Sequence, residues 1–308
     1  MKKVRAAVLS IVSNMCLVLM KLVAGLMMFS VSVLSEAVHS MMDLMAAVIA
    51  NYSVRKAVQP PDADHLYGHG KYENVAGVVE ALLIFFAAAI IIYESIAKIV
   101  IGSGVELIEV GIVIMGISTV VNFFVSRYLS KVADEEDSIA LEADSMHLKT
   151  DVLTSLGVFI GLVAINLTGL HILDPVIAIV VAVLIIRAAY MLTKESSRGL
   201  VDEKLPPEEE MVVKNVLLEH MPTFVEFHSL RTRKGGDQRF IDLHLVMKAD
   251  TRLEDAHKVA DHLEEEIEKR LPRTNVMIHL EPCDWRSCPL SGEKIIEISE
   301  DPRQRPPE

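Results

Sequence analysis

The sequence predicts an α-helical membrane protein, with six transmembrane helices followed by a small cytosolic α+β domain. Three observations predict this fold class. Hydrophobic residues make up 51% of the 308 residues, and the mean hydropathy of +0.37 is too high for an ordinary soluble domain. Charged residues still make up 23% of the chain, so the charges must be segregated. Residues 6–190 are mostly long apolar blocks, whereas the sequence from Lys194 onward is typical of a soluble domain.

Six apolar segments each approach the ~20 residues that a helix needs to cross the hydrocarbon core of a bilayer. They comprise residues 6–29, 31–52, 75–99, 107–128, 138–167 and 172–192. The first segment contains Lys21, whose long side chain we expect either to reach the interface or to be paired inside a helix bundle. We expect the fifth helix to extend past the membrane on the side of residues 134–137.

Positive charge is concentrated in alternate connections, which predicts the orientation. The basic residues on that side are Lys2, Lys3, Arg5, Arg55, Lys56, Lys71, Arg127, Lys131, Lys194 and Arg198. The opposite connections, near Ser30, residues 102–105 and residues 168–171, carry almost none. The positive-inside rule therefore predicts that both termini lie in the cytosol. The first segment has no signal-peptide cleavage pattern, so we expect it to remain as a span.

After Pro206 and Pro207 the pattern changes to that of a small α+β domain. The predicted elements are a helix over 208–221, strands over 224–233 and 239–247 joined by a turn over 234–237, a helix over 253–271 and a strand over 275–281. The order αββαβ predicts a ferredoxin-like open sheet with helices on one face. With fewer than ~100 residues, such a domain would gain stability by pairing with a copy of itself.

These patterns divide the chain into three parts. Residues 1–203 form the six-span transmembrane domain, and residues 204–285 form the cytosolic dimerisation domain. The tail, residues 286–308, is rich in Pro and charge, so we expect it to be disordered.

Two short motifs combine an imidazole with a carboxylate in or beside the apolar segments. His39 precedes Asp43 by four residues, and His147 precedes Asp151 by four, so each pair projects from one helix face. One pair alone is equally well explained as a hydrogen bond that ties two helices together. Two pairs favour a shared site, because burying two carboxylates without a cation is costly. If the second and fifth helices touch, the four side chains form a two-nitrogen, two-oxygen cage for a divalent transition metal.

A second cluster lies in the cytosolic loop between the second and third spans. It consists of Asp62, His65 and His69. The neighbouring glycines give the backbone the freedom to wrap a metal ion, and Asp64 is a possible substitute ligand. The alternative interpretation is a solvated polar loop.

A third set of potential ligands lies in the soluble domain. It comprises His228, His244, His257, His279 and Glu281. Histidine on three strands of one small sheet is unusual for a core, which favours Val and Ile, and imidazole is the commonest neutral metal ligand. Scattered surface histidines are the alternative. We interpret His220, His262 and Asp261 as ordinary surface residues of their helices.

Several functions are not supported by the sequence. The formal net charge of −12 argues against a nucleic-acid partner. No Gly-rich nucleotide loop accompanies a Lys-Ser/Thr pair, so we expect neither a nucleotide nor ATP-driven pumping. Three cysteines make no disulfide framework, and we interpret the Cys283 and Cys288 spacing as incidental.

Four stretches carry a family resemblance: Leu-Ser-Glu-Ala-Val-His-Ser-Met-Met-Asp at 34–43, Gly-His-Gly-Lys-Tyr-Glu at 68–73, Ala-Asp-Ser-Met-His-Leu-Lys-Thr-Asp at 143–151 and Ile-His-Leu-Glu-Pro-Cys at 278–283. Together they resemble the cation diffusion facilitators, and most closely the bacterial ferrous-iron/zinc efflux branch. The resemblance extends from about Val4 to Cys283. It implies a homodimer of six-span protomers in a bacterial or archaeal cytoplasmic membrane, each exchanging cytosolic divalent metal for protons by alternating access.

The resemblance also implies a role for each cluster. His39, Asp43, His147 and Asp151 would form the transport site; Asp62, His65 and His69 the loop site; and His228, His244, His257, His279 and Glu281 a regulatory binuclear site in the cytosol. Lys71 and Asp202 resemble a charge pair at the junction of membrane and cytosol. Two independently solvated charges are the alternative, because exposed pairs contribute little.

The sequence departs from that branch at two positions. His39 stands where the branch often has Asp, and this change favours Zn²⁺ over Mn²⁺, because imidazole suits zinc. Glu281 replaces the usual Asp and follows Leu280 instead of a polar residue. We therefore expect proton-coupled efflux, most of all of Zn²⁺, with Fe²⁺, Co²⁺ or Cd²⁺ as alternative cargo.

Two other classes of function use metal ligands of this kind, a metalloenzyme and a metal sensor. We expect no catalytic residues, because a catalytic zinc needs an open coordination position whereas four ligands here can fill a tetrahedron. A membrane-tethered metal sensor would use the histidines of the soluble domain but would not need His39 and Asp43.

Overall fold

The computed structural model describes residues 2–28, 31–101, 109–168 and 173–283. The chain divides into two compact units between Leu200 and Val201. The first unit is helical, and the second contains a three-stranded sheet.

All six predicted spans are α-helices, which confirms the helical membrane fold. The helices are α1 (Lys2–Met28), α2 (Val31–Ala57), α3 (Lys71–Ile101), α4 (Glu109–Glu136), α5 (Ile139–Thr168) and α6 (Leu173–Arg198). Within the described residues, Lys2–Val23, Lys71–Ala97 and Pro175–Arg198 are long and apolar enough to cross a bilayer. Several helices are longer than their apolar segments, because the backbone hydrogen bonds of a helix continue into residues that are not apolar. Residues 134–136 belong to α4, and α5 begins after Asp137, whose φ is 52°.

The fifth helix lies at the centre of the helical unit. It contacts α2, α3, α4 and α6, so polar side chains on different faces of α5 can meet residues of several helices. This placement brings the predicted ligands of α2 and α5 into reach of one another.

The third and sixth helices approach closely because glycines lie where they meet. A Cβ atom on Gly77 would clash with Ser196 and would lie 2.9 Å from Ile139 Cγ2. A Cβ atom on Gly199 would lie 2.5 Å from Asn74 Nδ2, and that amide donates a 3.0 Å hydrogen bond to the carbonyl oxygen of Ser196. The main chain at each glycine therefore lies directly against a side chain of the other helix.

A buried ion pair fixes the beginning of α1 against α3. Lys3 is 3% exposed, and its Nζ donates a 2.8 Å hydrogen bond to Oε1 of the fully buried Glu73. Ser138 donates a 2.5 Å hydrogen bond to the other carboxylate oxygen. Removing the charge of either Lys3 or Glu73 would leave the charge of the other buried without its ionic partner.

The second unit has the predicted αββαβ order, which confirms the α+β domain. Its elements are α7 (Pro207–Glu219), a 3₁₀ turn (Met221–Thr223), β1 (Glu226–Gly235), β2 (Gln238–Met247), α8 (Leu253–Arg270) and β3 (Thr274–Pro282). Strand β2 is central, antiparallel to β1 and parallel to β3. The hairpin turn is shorter than predicted, because β1 continues to Gly235 and leaves Gly236, with φ of 63°, and Asp237 as the two turn residues.

Alternate residues of β2 point to opposite faces of the sheet. Ile241, Leu243 and Leu245 are at most 1% exposed and belong to the apolar core that includes residues of α7 and α8. Asp242 and His244 therefore lie on the other face. The helices cover one face of the sheet and leave the face that carries His244 uncovered by them.

Candidate metal sites

The first site lies inside the helical unit, where α2 contacts α5. Asp43 is 4% exposed and His147 is 6% exposed, and His147 Nε2 lies 3.2 Å from Asp43 Oδ1. One ligand atom from each of Asp43, His147 and Asp151 lies within 4.8 Å of the other two. His39 is one turn before Asp43 on α2, and its side chain lies outside the described part of the structure.

The chemistry of this site suits a divalent cation. Two carboxylates and one neutral imidazole supply a formal charge of about −2, which a divalent ion would neutralise. Two donors at zinc-ligand distances from one tetrahedral ion lie about 3.3 Å apart, close to the 3.2 Å between His147 Nε2 and Asp43 Oδ1.

A buried lysine of α1 contacts α2 close to this site. Lys21 of α1 is 6% exposed, and its Nζ donates a 2.7 Å hydrogen bond to Oγ of Ser40, which precedes Asp43 by three residues on α2. Of the two possibilities predicted for Lys21, pairing inside the bundle is therefore the one that the structure contains.

The second site is the loop between α2 and α3. Oδ2 of Asp62 lies 3.1 Å from His69 Nε2, and Oδ1 lies 3.1 Å from His65 Nδ1. The two imidazole centroids are 4.5 Å apart, and one ligand atom of each of the three residues lies within 4.8 Å of the others. Gly68 has a φ of 79° and thereby supplies the turn between the two histidines. Asp64 does not join this group.

Hydrogen bonds from the loop hold Asp62 in its ionised form. The backbone N–H groups of His65 and Asp64 donate to Asp62 Oδ1 over 2.7 and 3.0 Å. The pKa of the Asp62 carboxyl is lowered, above all by the His65 backbone hydrogen bond. The carboxylate is therefore ready to bind a cation without first losing a proton.

The third site is a row of histidines across the uncovered sheet face. His228 pairs in register with His244, which pairs in register with His279, so each strand contributes one imidazole. The ring centroids are 5.1 Å apart for the first pair and 4.8 Å for the second. Glu281, two residues after His279 on the same face of β3, lies 3.1 Å from His228 Nε2 and 2.8 Å from His244 Nδ1.

The structure brings His228, His244 and Glu281 together most closely. One ligand atom of each lies within 4.8 Å of the others, whereas His279 Nε2 is 3.8 Å from Glu281 Oε1 and the His279 side chain is 65% exposed. His257 is not brought to this group within one chain. It lies on α8, which covers the opposite sheet face, and its Nδ1 is 3.4 Å from Asp261. Its role as a ligand therefore remains a prediction.

The predicted charge pair between Lys71 and Asp202 also remains a prediction. Lys71 begins α3 in the first unit, and Asp202 belongs to the second. Within that second unit, Asp202 Oδ1 lies 3.3 Å from Arg233 Nη1. Cys288 lies outside the described residues.

Two buried carboxylates were missed by the sequence analysis. Glu80 of α3 and Asp144 of α5 are both 0% exposed, and neither carboxylate has a hydrogen-bond partner among the described residues. Each is an acidic residue within a segment predicted to cross the membrane, and such residues often mark ion or proton pathways. That signal was available in the sequence. Asp144 precedes His147 by three residues, so the two lie on neighbouring positions of one face of α5.

Two family models match the chain and together cover most of it. Residues 7–201 match the cation efflux transmembrane domain, and residues 205–283 match the cytoplasmic domain of cation efflux proteins.

Two relatives match over nearly their whole length. An uncharacterized transporter of Synechocystis sp. is 33% identical over 299 residues, which cover 94% of this chain and 96% of the relative. The cation-efflux pump FieF of Citrobacter koseri is 32% identical over 279 residues, which cover 91% of this chain and 92% of the relative. A solved structure of the Zn form of CzrB, described as a putative zinc transporter, has a TM-score of 0.25 and 39% identity, and the match covers 26% of this chain and 92% of that one.

Proposed function

This chain belongs to the cation diffusion facilitator family of cation efflux transporters, and we propose that it exports Zn²⁺ from the cytosol in exchange for protons. The observation that carries the proposal is the meeting of Asp43, His147 and Asp151 between two membrane helices. Two helices place three potential ligands inside an apolar bundle. A cation site at this position suits a transporter, which binds the ion within the membrane and then releases it. His39, one turn from Asp43, is proposed as the fourth ligand.

Competition between metal and protons supplies the coupling. A metal ion binds ionised carboxylate and neutral imidazole, so each ligand that takes up a proton loses affinity for the metal. Imidazole changes its charge within the physiological pH range. Metal entering from the cytosolic side would therefore displace protons, and protons arriving from the outside would displace the metal. Glu80 and Asp144 are further proton acceptors within the same helical unit.

The composition of the ligands supports Zn²⁺ as the first choice of cargo. Imidazole nitrogen and carboxylate oxygen in a four-ligand site suit zinc, whereas Mg²⁺ and Mn²⁺ favour sites made of oxygen alone. Fe²⁺, Co²⁺ and Cd²⁺ are the alternative cargo ions.

Flux measurements with the full-length protein in proteoliposomes test this proposal. A pH-sensitive dye inside the vesicles should report proton movement when Zn²⁺ is added outside, and the direction of both flows should reverse with the imposed pH gradient. Parallel additions of Fe²⁺, Cd²⁺ and Mn²⁺ rank the cargo ions. Zinc uptake without any proton movement would exclude antiport, and equal rates for Mn²⁺ and Zn²⁺ would exclude the zinc preference.

We also propose that the protein works as a homodimer whose cytosolic units pair when metal binds to the histidine row. The row is partly exposed in one chain: the side chains of His228, His244 and Glu281 are 26%, 30% and 34% exposed. A second copy covering this face would complete the burial, and a bound divalent ion would offset the charge of Glu281.

Replacing both His244 and His279 by Ala should remove the effect of metal on dimer contacts. Two of the three imidazoles in the row are lost, so Zn²⁺ should no longer increase cross-linking between cytosolic units, and transport should lose its activation by cytosolic metal. Asp250→Asn, at an exposed position after β2, is the control. Zinc-dependent cross-linking that persists unchanged in the double variant would refute the regulatory role.

A further inference from the structure

Two histidines outside all three sites lie in direct contact on the helix-covered side of the cytosolic unit. His220 follows the last residue of α7, and His262 lies in the middle of α8. Their Nε2 atoms are 3.2 Å apart, and their ring centroids are 5.0 Å apart. In sequence the two residues are 42 positions apart, so only the packing of α7 against α8 brings them together.

The tautomer of His220 follows from its second ring nitrogen. His220 Nδ1 lies 2.8 Å from the carbonyl oxygen of Val216. A carbonyl oxygen can only accept, so Nδ1 must carry the proton and donate it. The neutral ring then has its lone pair on Nε2, which is the atom that faces His262. A backbone carbonyl that fixes the other ring nitrogen in this way is the usual support of a metal-bound histidine.

Both imidazoles are held by ordered backbone. The carbonyl oxygen of His220 accepts hydrogen bonds from the backbone N–H and the Oγ1 of Thr223, over 2.9 and 2.7 Å. His262 is followed by the fully buried Leu263 on α8, which holds that part of the helix against the core. The backbone of both residues is therefore held in place, and a ligand that bridges the imidazoles has to order only their side chains.

The neighbouring carboxylates are already engaged by basic residues. Glu219 forms two hydrogen bonds with Arg270, of 2.9 and 2.6 Å. Glu266 lies 2.9 Å from Lys269 Nζ. Because these carboxylates are paired with Arg270 and Lys269, the two imidazoles are the groups that we assign as metal ligands here.

We propose that His220 and His262 form an additional metal site, a two-imidazole chelate for a first-row divalent ion such as Zn²⁺, Ni²⁺ or Cu²⁺. Two nitrogens bound to one tetrahedral ion at zinc-ligand distances lie about 3.3 Å apart, close to the 3.2 Å observed. A metal ion would replace the hydrogen bond between the two rings, and the exposed His262 ring would turn so that both Nε2 lone pairs point to the ion. Water would complete the coordination, since His262 is exposed. The bound ion joins the end of α7 to the middle of α8.

This site is separate from the histidine row. The row lies on the uncovered face of the sheet, whereas α7 and α8 lie on the other face. With only two protein donors the chelate is weaker than a site with three or four, so it fills at higher metal concentrations. It does not depend on the proposed transport activity.

Hydrogen exchange of the full-length protein in detergent, measured by mass spectrometry with and without Ni²⁺ or Zn²⁺, tests the proposal locally. In wild type, metal should slow exchange in peptides that cover residues 216–224 and 257–266. His262→Gln should raise the metal concentration needed for this protection by about 100-fold or more, because only one imidazole is left to bind the ion. Glu265→Gln, at an exposed neighbouring position of α8, is the matched control and should behave as wild type.

The protection should also persist in Asp43→Ala, which separates this site from the transport site. Equal protection in His262→Gln and wild type would overturn the proposal. The proposal would also be overturned if metal gave no protection in wild type at concentrations about 100-fold above those that saturate the histidine row.

Discussion

Replacing Asp43 by Ala should abolish zinc transport while leaving the protein folded. Asp43 supplies one of the two carboxylates of the membrane cluster and lies 3.2 Å from His147. Its removal takes away both a ligand and a negative charge, whereas losing even an outer-shell partner of a metal ligand typically weakens metal binding by 10- to 100-fold. We expect the initial rate of Zn²⁺ uptake into proteoliposomes to fall by more than about 100-fold, and His147→Ala should have the same effect.

The control for this experiment lies on the same helix. Met45 is 53% exposed, so Met45→Ala changes α2 by one apolar side chain away from the cluster and should leave uptake near the wild-type rate. Size-exclusion chromatography should show the same oligomer for all variants. Zinc uptake by Asp43→Ala at the rate of Met45→Ala would remove the membrane cluster from the transport mechanism.

Replacing Lys3 by Met should strongly lower the free energy of unfolding. Lys3 is the cation beside Glu73, and both side chains are almost completely buried. Breaking a buried ion pair by removing one partner typically costs about 3–5 kcal/mol, because the remaining charge loses its opposite charge. The measurement is denaturant or thermal unfolding of the protein in detergent, monitored by far-ultraviolet circular dichroism.

The adjacent residue provides a matched control. Lys2 also forms an ion pair, with Glu135 at 3.4 Å, but its side chain is 70% exposed, so Lys2→Met should cost less than about 1 kcal/mol. The double variant Lys3→Met with Glu73→Gln should recover part of the stability, because it also removes the buried negative charge of Glu73. If Lys2→Met and Lys3→Met lowered the free energy of unfolding equally, burial of the Lys3–Glu73 pair would contribute nothing to stability.

The helices and strands could be predicted well because their signals are local. The apolar blocks mark α1–α6, and the two-residue alternation of Ile241, Leu243 and Leu245 marks β2. Helix ends were less predictable. Hydropathy shows where a chain can lie in lipid, but α3 already begins at Lys71, in front of its apolar block.

The clusters were predictable to the extent that spacing alone brings ligands together. His147 and Asp151 share a helix face by their four-residue spacing, and Asp62, His65 and His69 share one short loop. His228, His244 and His279 required only correct strand assignments, since strand register then aligns them.

Contacts set by tertiary packing could not be predicted. Nothing local in the sequence indicates that His220 meets His262, because that contact depends on the crossing of α7 and α8, and the interpretation of both as ordinary surface residues missed it. Asp144 stands in the quoted motif beside His147, yet its lack of a partner among the described residues is visible only once the helices are packed.

The close seating of α3 on α6 limits how the helical unit can change shape. Where Gly77 faces Ser196 and Gly199 faces Asn74, main chain lies against side chain with no space to spare. Sliding one helix along the other would drive a larger residue into each of these notches, so steric contact opposes translation of α3 along α6. For the alternating access that the family resemblance implies, we therefore expect the rearrangement at other helix contacts, among them that between α2 and α5.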